Sequence, residues 1–177
     1  MKDIVDNFTI HFGNIKFFDV ADGPGVRIAL YVSGCPHACE GCHNKESWDY
    51  NYGKKFTNDE MNLIIENLKK EFITGFSILG GEPLDPKNRP DVYSIIKLIK
   101  EQLPDKNIWV WTGYTWEELM EEKAIPQDIL KLIDVIVDGR FILSQRNISL
   151  KYRGSPNQRV IDVQKTLKSN SITYYCD

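Results

Sequence analysis

Short apolar, β-branched stretches alternate along this chain with stretches whose apolar residues recur every three or four positions, the spacing of one helical face. Arg27 to Ser33 reads as a buried strand. Thr57 to Phe72 reads as a helix, with Met61, Ile64, Ile65, Leu68 and Phe72 on one side. Thr57 and Glu60 have the spacing of a capping box, in which each side chain accepts from the other residue's backbone N–H. Thr74 to Leu79 is the next strand and Pro90 to Leu103 the next helix, with Val92, Ile95, Ile96, Ile99 and Leu103 aligned. Asn107 to Trp111 predicts a strand. Thr115 and Glu118 fit a second capping box, for a helix to about Lys123, and Gln127 to Leu132 predicts another short helix. Ile133 to Val137 and Arg159 to Val163 predict strands, followed by a short helix and a last strand near Ile172 to Tyr175.

Apolar strands alternating with amphipathic helices predict an α/β protein with a parallel sheet and crossover helices. At 177 residues the chain has the size of a single domain, 1–177, that can bury a core without staples. It is too short for a closed eight-stranded α/β barrel, which needs about 250 residues. A composition of 42% hydrophobic and 27% charged residues argues against wholesale disorder. The apolar runs are only a few residues long, so no membrane span is expected. The start, MKDIVDNFTI, has acids where a signal peptide would have an apolar core. The expectation is a cytoplasmic protein, in which four cysteines read as ligands or catalysts rather than disulfides.

The formal charge of −3 conceals an asymmetry. Residues 140–168 hold seven basic groups and one acid, a local +6 that leaves −9 for the remainder. Such a segment is a solvated face or meets an anionic ligand or an acidic partner surface. Nucleic acid is not expected, because the overall charge is negative and no nucleic-acid motif occurs.

In parallel α/β folds, sites collect at the carboxyl ends of the strands, and the unusual residues of this chain follow its strands. After the first comes Gly34-Cys35-Pro36-His37-Ala38-Cys39-Glu40-Gly41-Cys42-His43-Asn44; after the second, Gly80-Gly81-Glu82-Pro83; after the third, Thr112-Gly113-Tyr114; after the fourth, Asp138-Gly139-Arg140. Cys35, Cys39 and Cys42 are spaced C-x3-C-x2-C, so one loop can wrap three thiolates around a metal centre and leave a position open. Zinc completed by His37 or His43 is one occupant, and a 4Fe-4S cluster held through three irons is the other. Paired glycines at 80 and 81 permit close backbone approach to a ligand. Glu82 suits an ammonium group and Arg140, with its planar fork, a carboxylate. Cys176, far from the trio, reads as a free thiol.

Cys35, Cys39 and Cys42 followed by GGEP resemble the radical S-adenosylmethionine superfamily. Asp22-Gly23-Pro24-Gly25 with Arg27 resembles its glycyl-radical-enzyme activases. CPHACEGCHN, WTGY at Trp111 to Tyr114, VDGRF at Val137 to Phe141 and RGSPNQR at Arg153 to Arg159 are similar to the family that activates anaerobic (class III) ribonucleotide reductase. The likeness runs from about Phe12 to Tyr175.

The resemblance implies an incomplete, TIM-like barrel of parallel strands, the radical S-adenosylmethionine core. It implies a 4Fe-4S cluster on Cys35, Cys39 and Cys42 and S-adenosyl-L-methionine as second cofactor. The reduced cluster would cleave that cofactor to methionine and a 5′-deoxyadenosyl radical, which takes hydrogen from a glycine of the reductase. Glu82 and the Gly80-Gly81 backbone would receive the amino end, Asp138 the ribose and Arg140 the carboxylate, with Thr112 lining the same cavity. The aromatic residue that many members place before the third cysteine is Gly41 here, which leaves adenine to pack elsewhere, with His43 as candidate. Activases of pyruvate formate-lyase carry an Asp where this chain has Trp111. Implied partners are the large subunit of the anaerobic reductase and a reduced electron donor such as flavodoxin. An activase of another glycyl-radical enzyme and a non-enzymatic zinc module are the alternatives.

Overall fold

The computed structural model describes residues 8–121 and 127–176. Seven strands form one sheet: β1 (His11–Asp19), β2 (Val26–Val32), β3 (Lys54–Lys55), β4 (Ile73–Gly80), β5 (Asn107–Trp111), β6 (Val135–Asp138) and β7 (Arg159–Asp162). Among the described residues five α-helices accompany them: α1 (Asn58–Leu68), α2 (Arg89–Gln102), α3 (Trp116–Glu121), α4 (Gln127–Leu132) and α5 (Val163–Ser169). The strand order is β3-β1-β2-β4-β5-β6-β7.

The parallel run expected for the whole sheet covers only β2, β4, β5 and β6. Both edges are antiparallel: β1 pairs with β2 and β3, and β7 pairs with β6. The correction has a simple cause. A parallel neighbour needs a crossover that returns the chain to its starting end, whereas residues 139–158 stay at one end and turn straight back. β1 is hard to see in the sequence because its alternation is masked by His11, Asn14, Lys16 and Asp19 and broken by a register shift between Phe12 and Asn14. The expected last strand reduces to one bridge, Tyr174 to Ile161.

α1 begins as its pattern predicts: the Thr57 N–H donates to Glu60 (2.9 Å), completing the capping box. It ends at Leu68, four residues before the expected Phe72, because the chain must turn to enter β4; Ile73 N–H donates to the carbonyl of Lys70 (3.1 Å). Phe72 is left 57% exposed. The second box also forms, Thr115 N–H to Glu118 (2.8 Å) and Glu118 N–H to Thr115 Oγ1 (3.2 Å). The end expected for that helix, near Lys123, lies outside the described residues.

Alternation along the strands gives the sheet two faces. Ile28, Leu30, Phe76, Ile78, Ile108, Val110 and Ile136 lie on one and pack under α1, α2 and α4, through Met61, Ile64, Leu68, Ile95, Ile99 and Ile129. Each fully buried aliphatic side chain there contributes roughly 2 kcal/mol. Towards the amino ends of the parallel strands, the other face is filled by Arg27 and Trp109. Arg27 is fully buried, donating to Ser77 Oγ (2.7 Å), Asn107 Oδ1 (2.6 Å) and the carbonyl of Phe76 (2.9 Å). Burial lowers its pKa to about 10. Trp109 packs edge-on against Tyr152 and Tyr175. Towards the carboxyl ends the same face, at Tyr31, Leu79 and Trp111, is open and lines a cavity of about 1030 Å³.

Candidate metal centre and its cavity

The thiol loop leaves β2 at Gly34 and borders this cavity through Gly41, His43 and Asn44. Its base is part of the sheet. Gly81 N–H donates to Val32 O (2.7 Å) and Glu82 N–H to Gly34 O (2.8 Å), so the ladder between β2 and β4 continues into both loops. A Cβ at Gly81 would lie 2.6 Å from the carbonyl oxygen of Gly34, so the approach requires glycine. Asn88, buried just before α2, donates to the carbonyls of Ser33 (2.9 Å), Gly34 (3.2 Å) and Glu82 (2.9 Å).

Cys35, Cys39 and Cys42 are free and half-buried. Burial, and then the charges of Glu82, Cys39 and Cys42, push the Cys35 thiol up to about 11. Cys39 is raised by burial and then by Cys42. Among the described residues no three His, Cys, Asp or Glu side chains are gathered closely enough to hold a metal ion as they stand. The thiols are neighbours, and the charges of Cys39 and Cys42 penalise the ionisation of Cys35 as that of Cys42 penalises Cys39. A polycationic centre relieves that penalty, so the donor chemistry fits a thiolate-bound metal or iron–sulfur group.

Glu82 is the hub beneath the loop. It is fully buried and both oxygens are engaged. Oε1 accepts from Leu84 N–H (2.9 Å) and Thr112 Oγ1 (2.7 Å), and Oε2 from Gly113 N–H (2.6 Å) and His37 Nε2 (2.7 Å). Thr112 is therefore held below the loop. Asp138, also fully buried, accepts from Trp116 N–H (2.7 Å) and from Arg159 Nε (3.0 Å). Asp138 and Arg140 line a second cleft, of about 550 Å³, with Thr115, Glu117 and Arg159. Arg140 pairs with Glu118 (3.2 Å) and donates to His37 Nδ1 (3.2 Å). His43 lines the large cavity. The structure thus brings the thiol loop, Glu82, Thr112 and Arg140 together through His37, and sets Asp138 and Arg140 in their own cleft.

On the opposite wall Lys16 donates to Tyr31 Oη (2.7 Å), and Tyr31 donates to Asp22. Burial raises the pKa of both Tyr31 and Asp22. Arg146, Ile148, Tyr152 and Arg153 close the cavity from the segment between β6 and β7. Trp111 Nε1 ties that segment to the sheet through Tyr152 O (2.8 Å).

Residues 21–161 match the family model of a 4Fe-4S single cluster domain. An anaerobic ribonucleoside-triphosphate reductase-activating protein of Escherichia coli (strain K12) is 44% identical over 144 residues, 80% of this chain and 92% of its own length. Its counterpart from Vibrio cholerae is 44% identical over 142 residues, 79% and 90% of the two chains. That of Enterobacteria phage T4 is 38% identical over 153 residues, 85% and 93%. The chain belongs to this family of reductase-activating proteins. One residue of its site does not announce itself in the sequence, and another takes a place the sequence does not suggest. Asn88 precedes a helix and looks like an ordinary cap, yet its side chain clamps two site loops. His37 stands in the sequence as a candidate fourth ligand for zinc, and the structure places its ring beneath the loop instead, on Glu82 and Arg140 and against Gly113, where any Cβ would collide with it.

Proposed function

We propose that this protein activates an anaerobic ribonucleotide reductase, using a 4Fe-4S cluster and S-adenosylmethionine to place a radical on a glycine of that partner. The observation that carries the reading is the trio of free, half-buried thiols at the carboxyl end of β2, on a loop whose Gly41, His43 and Asn44 border a cavity large enough for a nucleoside-sized ligand. The match to a 4Fe-4S single cluster domain favours iron–sulfur over zinc, and the relatives' names supply the target. Cys35, Cys39 and Cys42 would hold the cluster, which supplies one electron for reductive cleavage of the sulfonium when bound.

The chain's own residues then have distinct work. The Gly80-Gly81 backbone and His43 meet S-adenosylmethionine directly. Glu82 and Asp138, whose oxygens already accept from the chain's own donors, take supporting places in this reading in preference to the amino-end and ribose contacts that the resemblance implies. Thr112 donates to Glu82 from below, and Arg140, tied to Glu118 and His37, braces the thiol loop in preference to the carboxylate. Arg153 lines the cavity and keeps its Nε buried without a hydrogen-bond partner. That unused donor suits a ligand carboxylate. No general base is required, because the hydrogen is taken as an atom. In this reading the sheet is an incomplete barrel whose open side admits the partner's glycine loop. Leu143 and the 86%-exposed Ile148 stand on its rim beside Arg146.

The test is anaerobic reconstitution with iron and sulfide, then reduction with S-adenosylmethionine, alone and with the reductase. The expected results are S-adenosylmethionine cleavage and a glycyl doublet in the electron spin resonance spectrum of the reductase. Zinc without sulfide, or a doublet only on a different glycyl-radical enzyme, sinks the reading.

A further inference from the structure

His37 lies between the first two cysteines, yet its side chain belongs to the layer beneath them. Its imidazole is 6% exposed. Nε2 meets Glu82 Oε2 at 2.7 Å, Nδ1 meets Arg140 Nε at 3.2 Å, and the ring stands edge-on to Tyr114 at 4.7 Å. The chemistry of the two neighbours fixes the tautomer. A guanidinium N–H can only donate, so Nδ1 is the acceptor. Nε2 must then carry the proton, and it donates to a carboxylate that already accepts from Gly113, Thr112 and Leu84. The row Arg140–His37–Glu82 thus has one direction throughout, and every member has the partner that its chemistry demands.

We propose that His37 is the positioning residue of the thiol loop, held as the Nε2–H tautomer between Glu82 and Arg140 so that Cys35 and Cys39 present their sulfurs from a fixed base. The proposal rests on the cluster reading above. It also explains three features together. Gly113 has no room for a Cβ beside the ring. Glu82 is saturated by its own chain. Ala38, the next residue, takes a left-handed conformation (φ 49°), which turns the loop back towards Cys39 once His37 has been seated.

The test compares wild type with His37→Phe, which fills the space without the hydrogen bonds, and His37→Gln, whose amide both donates and accepts. After anaerobic reconstitution, the rate at which a chelator strips iron is followed by loss of the charge-transfer absorbance. His37→Phe is expected to lose its cluster on the order of ten-fold faster, the scale of a charge-assisted buried hydrogen bond. His37→Gln is expected to stay close to wild type. The reverse order means that the ring only fills space, and equal rates in all three remove the proposal. A wild-type chain that takes up no iron and sulfide overturns the cluster reading itself, a distinct result. Independently of any metal, the histidine ¹⁵N spectrum of the metal-free chain should show a proton on Nε2 and none on Nδ1 of His37. A proton on Nδ1 overturns the proposal. Melting curves of the metal-free variants establish that each compared protein is folded.

Discussion

Individual side chains of the site divide into those that present chemistry and those that hold the presenters. Cys39 belongs to the first group, in a loop whose thiols are already crowded. Cys39→Ala should abolish cluster uptake and S-adenosylmethionine cleavage together, read as iron per chain and as 5′-deoxyadenosine formed. Cys176 packs near Val160 and Trp109 on the filled part of the sheet, and Cys176→Ala should leave both measurements unchanged. Asn88 belongs to the second group. Its side-chain amide donates to three buried carbonyls from two loops. Asn88→Ala removes all three of these bonds, although Gly34 O keeps Glu82 N–H and Glu82 O keeps Asp85 N–H, and urea unfolding of the metal-free chain should show a loss of about 2 kcal/mol. The cysteines and the GGEP turn were legible because thiols and paired glycines are conspicuous in a sequence. Asn88 was not, and neither was the holding place of His37, which the sequence offers only as a candidate zinc ligand, since both act through contacts with positions 45 to 55 residues away.

At the scale of elements, most of the fold could be read from periodicity. β2, β4, β5 and β6 and the faces of α1 and α2 follow from burial patterns that only strands or helices satisfy. What could not be read is direction. An apolar run such as Arg159–Asp162 looks the same in either orientation, and the connection before it decides which is built. The antiparallel β7 has an electrostatic consequence. It carries Arg159 back against α3, where the guanidinium joins the buried Asp138 to Glu117 (2.7 Å). The hydrogen bond from Arg159 holds Glu117 down at about 2, from an ordinary 4.5. A carboxylate depressed in the folded state contributes stability that is complete above its unfolded pKa and lost as pH falls through the folded one. The melting temperature of the metal-free chain should therefore carry a component that declines from about pH 4.5 to about pH 2. Glu117→Gln should flatten it. Glu117 is 56% exposed, so solvent and salt keep the effect small.

For the whole molecule, the charge asymmetry of the sequence resolves into separate tasks. The basic segment 140–168 is not one face. Arg159 is spent inside, Arg140 braces the thiol loop, and Arg146 and Arg153 look into the cavity. What remains outside is a rim where Ile148 is almost fully solvated. If a large partner must present a backbone glycine to the cavity, that rim meets it first. Ile148→Asp should lower the rate of glycyl radical formation about ten-fold at subsaturating reductase, the size of one modest interface hot spot. S-adenosylmethionine affinity should change less than that rate, because the side chain is mostly turned out to solvent although it stands at the cavity's edge.

The continuation of the β2–β4 ladder into Gly81 and Glu82 bears on how the holoprotein is made. Those two amides are fastened to Val32 and Gly34 by the chain itself, so they should resist deuterium exchange as long as the central strands do, with or without metal. Gly41 and Cys42, nearer the tip of the loop, should exchange early in the metal-free chain and late once it is loaded. The inorganic cofactor would then be delivered to a receptacle whose walls are already finished, and loading would close its mouth without having to fold the vessel.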